Sequence, residues 1–93
     1  MTAVREVLAS GSELEVTRLE YRAGDGTQSH FHDCEQAGWV ESGLFRLTAD
    51  DRVTLHGAGS AYVVAARSKH TFEVLEPGIV YIVTSPKQHT FQT

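Results

Sequence analysis

Apolar and polar residues alternate one by one along LEVTRLEY (14–21) and GLFRLT (43–48), the period of an extended chain whose successive side chains leave opposite faces. Four further runs, VTLH (53–56), AYVV (61–64), HTFEVL (70–75) and IVYIVTS (79–85), are short and rich in β-branched and aromatic residues. All six predict strands. Between them recur turn signals: AGDG (23–26), ESG (41–43), ADD (49–51), HGAGS (56–60), AARSK (65–69) and EPG (76–78), in which Gly, Pro, Asp and Ser supply tight-turn geometry. No remaining stretch is long enough to predict a helix. The pattern therefore predicts an all-β chain, a small antiparallel sandwich or barrel with one face of each strand turned inward.

The chain has 93 residues, enough for a single domain over residues 1–93 with a modest core, since a domain of this size buries only about 60–65% of its unfolded surface. Oligomerisation is an expected supplement. Eight basic and twelve acidic residues leave a formal charge of -4, which argues against nucleic acid and an anionic membrane surface as partners. The lone Cys34 cannot form an internal disulfide, and MTAVREVLAS lacks the apolar core of a secretory leader, so the cytoplasm is the expected compartment. No apolar run approaches the roughly 18 residues of a membrane span.

The densest chemistry lies in HFHDCEQ (30–36). On a strand, His30 and His32 share a face while Phe31 takes the other, so both imidazoles can reach one metal ion. By itself such a pair also fits a solvated surface. The surrounding spacing adds to it: Gly24, five residues, His30, one, His32, three, Gln36, six, Gly43. This resembles the first motif of the cupins, G(X)5HXH(X)3-4E(X)6G, except that Gln36 stands where the family usually has glutamate. The second motif, G(X)5PXG(X)2H(X)3N, is kept at Gly59 and His70 but replaced at Ala65, Arg67 and Val74.

The resemblance, over roughly residues 14–84, implies a cupin-type double-stranded β-helix: a small conical β-barrel, or jelly roll, of two antiparallel sheets. It implies a divalent transition metal (zinc, nickel, iron, copper or manganese) held inside by His30, His32 and His70, with Gln36 in the glutamate position through its side-chain oxygen. Each assignment has a plainer alternative. His70 can be a satisfied core histidine, and Gln36 can orient a neighbouring histidine instead of binding metal. Cys34 reads as a half-buried filler, Glu35 faces outward, and His56 and His89 fit no motif and read as solvated.

Cupins include dioxygenases, isomerases, epimerases, cyclases, decarboxylases, lyases, sensors and storage proteins, so the fold does not choose among functions. The expected reading is a metal-dependent enzyme on a small organic substrate, of dioxygenase or isomerase type. The alternatives are a non-catalytic small-ligand sensor and a structural metal-binding barrel. Gln36 favours the Lewis-acid version: an amide leaves the metal's charge undiminished and cannot take a proton at neutral pH. The catalytic residues are not assigned by this pattern.

Parity extends the reading. With Gln36 inward, Gly38 and Val40 follow, and Ala37 and Trp39 face out; from His70, Phe72 and Val74 face in. Gly38 is expected to leave room for a ligand beside the metal. An outward tryptophan among apolar residues suggests a subunit interface, and the expectation is a homodimer. Trp39→Glu then shifts the solution mass toward monomer in sedimentation equilibrium; wild type that is already monomeric at micromolar concentration refutes the interface.

Overall fold

The computed structural model describes residues 3–26 and 33–86. Within them run eight strands: β1 (Val4–Ser10), β2 (Glu15–Tyr21), β3 (Glu35–Val40), β4 (Leu44–Ala49), β5 (Arg52–His56), β6 (Ala61–Val64), β7 (His70–Glu76) and β8 (Gly78–Ser85). They build two antiparallel sheets, in the orders β1-β2-β8-β3-β6 and β5-β4-β7. The all-β expectation holds, and each of the six predicted runs appears within a residue or two of its expected bounds.

The pattern predicts no strand over 4–10, and β1 shows why. Its register on β2 slips between Val7 and Ala9, so a bulge interrupts the period of two. The strand lies at the sheet edge and is exposed at every residue, leaving no buried stripe for the sequence to record.

The hairpin from β4 to β5 turns on Asp50 and Asp51, both at positive φ (49° and 67°), the conformation of a two-residue type I′ connection. The chain passes between sheets at the β3–β4, β5–β6, β6–β7 and β7–β8 connections, and the β3–β4 and β7–β8 corners interlock. Glu41 and Ser42 donate their N–H groups to the Ile79 carbonyl at 2.9 and 3.3 Å, and Ile79 N–H donates back to the Ser42 carbonyl at 3.1 Å. Gly43 sits at φ +91°, where a Cβ would also press on the carbonyls of Pro77 and Glu76 at 2.8 and 2.9 Å. A Cβ on Gly78 would land on the Ser42 carbonyl. Only backbone fits between the two corners.

Inward parity is as expected. Gln36, Gly38 and Val40 are buried while Glu35, Ala37 and Trp39 are exposed, and His70 and Phe72 are buried with Val74 packed against the core. Trp39 stays 46% exposed and stacks on the outward Tyr81 of the neighbouring strand. The core centres on Phe45, which stacks on Phe72 (centroids 5.0 Å, planes 16° apart) with Tyr21 leaning on both at 5.4 Å. Burying each such ring contributes roughly 1.5–3 kcal/mol.

His56 departs from expectation. It is buried rather than solvated, because it closes β5 with its ring turned inside and both nitrogens engaged: Nε2 with Thr54 Oγ1 at 2.8 Å and Nδ1 with Ser60 Oγ at 2.6 Å. Burial lowers its pKa, so the ring is neutral at physiological pH, one nitrogen donating and the other accepting.

The interlocked corners generate a direct test. Gly78→Ala is expected to destabilise the protein by roughly 2–4 kcal/mol, because the obstacle is backbone that cannot rotate away. Gly57→Ala, whose Cβ would meet only Leu44 at an ordinary 3.7 Å, should stay within about 0.5 kcal/mol of wild type. Chemical denaturation of the pair measures the difference.

Candidate metal and ligand site

Both corners lie at one end of the barrel, and β3 and β7 each begin at the other. Gln36 is the second residue of β3 and His70 the first of β7, so the two described candidate ligands share the end remote from the corners, one on each sheet. Register across the larger sheet sets Gln36 in an inner-face row with Glu15, Thr84 and Val64.

His70 is held by its approach. The 65–68 turn closes through Ser68 N–H to the Ala65 carbonyl at 3.1 Å, Ser68 Oγ donates to Asp50 Oδ2 at 2.8 Å, and Asp50 N–H reaches the Lys69 carbonyl at 3.1 Å. These bonds tie the turn to the β4–β5 hairpin. The Ser68 carbonyl then accepts from His70 Nδ1 at 3.0 Å. A carbonyl can only accept, so Nδ1 carries a proton, and in the neutral ring the lone pair is on Nε2.

Gln36 is buried, yet its amide forms no hydrogen bond with a described residue, and no sealed polar side-chain atom among those residues lacks a partner. The amide therefore keeps some contact with solvent. Cys34 is fully buried rather than half-buried, and Glu35 faces out as expected. His30, His32 and His89 lie outside the described residues. Among the described residues no three His, Cys, Asp or Glu side chains converge as a metal cluster. An imidazole and a neutral amide oxygen are donor types that suit a borderline transition metal better than magnesium or calcium.

The room expected at Gly38 is taken. A Cβ there would collide with the Cζ, Cε2 and Oη atoms of Tyr62, its register partner on the edge strand β6, so the tyrosine ring covers the glycine. The ring also contacts Phe72 (5.7 Å) and His56 (5.1 Å). Tyr62, Thr84 and Glu15 are the inner-face neighbours of Gln36 and Gly38 that motif reasoning misses. Alternation could have flagged their inward faces, whereas their nearness to Gln36 depends on strand register.

The architecture and the motif positions together define a class, and the comparisons agree. The cupin domain model matches residues 17–85, and the chain belongs to the cupin family. No curated protein matches it. Among solved structures, it is similar to an RmlC-like cupin from Shewanella frigidimarina (TM-score 0.87, 24% identity, 91% of this chain and 77% of that one). It is also similar to KdgF from a Halomonas species (0.85, 24%, 90% and 80%) and to BH2720 from Bacillus halodurans (0.84, 22%, 100% and 77%). At these identities the likeness is one of fold. Cupins often bind metals. No helix among the described residues is long and apolar enough to cross a membrane.

The degraded second motif leaves a backbone trace. Gly24, Gly43 and Gly59, the kept motif glycines, all have positive φ, and Arg67, standing where the motif has its other glycine, does too at 60°. The 65–68 turn still demands the left-handed conformation at its third residue. Arg67→Gly should therefore stabilise the protein by about 0.5–1 kcal/mol, the left-handed penalty less the added freedom of the unfolded chain. A thermal melt measures it, and a lower melting temperature refutes the reading.

Proposed function

We propose that this protein is a metal-binding monocupin that acts on a small organic substrate, with His30, His32, Gln36 and His70 holding one divalent transition metal at the open end of the barrel. The observation that carries the proposal is the state of His70: buried, at the same end as the inward Gln36, with Nδ1–H fixed on the Ser68 carbonyl and the lone pair on Nε2. A bound ion there would supply Lewis-acid polarisation of a ligand oxygen.

The chain's own residues limit what accompanies that chemistry. The Gln36 amide is no base at neutral pH and serves as a neutral donor of oxygen or N–H. Burial pushes the phenols of Tyr62 and Tyr21 well above the ordinary tyrosine range, with Tyr21 adding to the effect on Tyr62 and Asp25 to that on Tyr21. Both stay protonated, so each hydroxyl can donate or accept a hydrogen bond but cannot act as a base. Phe45, Phe72, Val64 and Ile82 make the surrounding core apolar. The interior therefore suits polarisation of a carbonyl or enol oxygen in an isomerase-type reaction more than deprotonation by a motif carboxylate.

Metal analysis of protein purified without chelator is the test. About one transition metal per chain is expected, with loss of most of it in His70→Ala and tighter binding in Gln36→Glu, whose carboxylate lowers the net charge of the site. Wild type that is metal-poor and cannot be reconstituted overturns the proposal, and full occupancy in His70→Ala overturns the ligand set.

A further inference from the structure

Tyr62 has a position that the metal reading does not use. Its ring tip covers the inner face of Gly38, two residues beyond Gln36 on the same face of β3, and its ring contacts Phe72, two residues beyond His70 on the same face of β7. Because side chains two apart on a strand stack along one face, the ring lies one layer beneath both described candidate ligands and spans the gap between the sheets. It is a floor. Val64, two residues further along β6 and paired with Gln36, belongs to the layer above.

The floor carries a polar group without an internal partner. Tyr62 Oη makes no hydrogen bond with a described residue, although no sealed polar side-chain atom there is unpartnered, so it keeps contact with accessible space. Buried hydroxyls are ordinarily satisfied by the protein. For Tyr62 no described residue supplies that partner.

We propose that Tyr62 is a ligand-contacting, specificity-determining residue: it limits the depth of the cavity and donates its O–H to a carbonyl or other uncharged oxygen of the bound molecule, at the end facing away from Gln36 and His70. The uncharged class follows from the surroundings. Phe45, Phe72 and Ile82 offer an anion no compensation. The neutral phenol is a good donor to an oxygen that keeps its electrons. This deepens the function proposed above by naming the kind of substrate, and it rests on that reading only for the position of the other end.

Cyclohexanone and methylenecyclohexane, nearly the same shape with and without the acceptor oxygen, separate the hydrogen bond from apolar burial. Their affinities for chelator-treated wild type and Tyr62→Phe, from NMR titration, form a double cycle. The preference for the ketone over the hydrocarbon should fall about threefold to tenfold in Tyr62→Phe, the yield of one neutral hydrogen bond. In wild type labelled at the tyrosine Cζ, the Tyr62 resonance should shift with the ketone and not with the hydrocarbon, a measurement that does not depend on the variant folding. Equal preference in the two proteins, or no ketone-specific shift, overturns the proposal. Because metal is removed, a metal-free wild type in the preceding test leaves this result standing, and failure here leaves the metal stoichiometry untouched.

Discussion

Two segments of bare backbone press together where the β3–β4 and β7–β8 corners cross, and every other relation in the barrel is referred to that contact. The mutual bonds of Ser42 and Ile79 hold the crossing, and Gly43 and Gly78 allow it. Since β3 and β8 pair directly, and β4 and β7 pair in the other sheet, fixing the corners fixes both ladders at once. A slip of one residue would turn every inward side chain outward. Gln36 and His70, six or more residues along their strands from that crossing, inherit their common end from it.

From the corners to the opposite end the interior changes character. Val40, Val80, Leu19 and Phe45 pack without polar atoms. Tyr62 comes next, bringing a hydroxyl on a large apolar ring, and then Gln36, Thr84 and His70. The gradient is economical for a small domain, since apolar burial is concentrated where the chain is tied and polar groups are left where a ligand can satisfy them. A 93-residue chain has a modest core, and the interlocked backbone at the corners adds to what holds it.

The candidate site divides along the same line. Its residue types and spacing were readable: two histidines one apart, Gln36 four residues later and His70 at a strand start all follow from alternation and motif. The proton position on His70 was not, because it depends on the Ser68 carbonyl, which the Asp50 contact holds in place from another turn. Gly38 gives the sharper case. A missing side chain reads as space along one strand, yet its neighbour across the ladder fills it, and sequence does not state which residue that neighbour is.

By itself the sequence determined the all-β class, most strand positions and the inward faces of β3 and β7, since each depends on neighbours within a few residues and on a period of two. It could not display β1, whose bulge breaks that period and whose exposed edge carries no hydrophobic stripe. It misplaced His56, because the ring's partners Thr54 and Ser60 are brought around it only when the β5–β6 turn closes. Tertiary structure alone decided register, and with it the row joining Glu15, Thr84, Gln36 and Val64 and the aromatic floor beneath them. The physical reason is that cross-strand neighbours are chosen by backbone hydrogen bonds between distant segments, which are chemically the same at every residue and so leave no signature in the side chains.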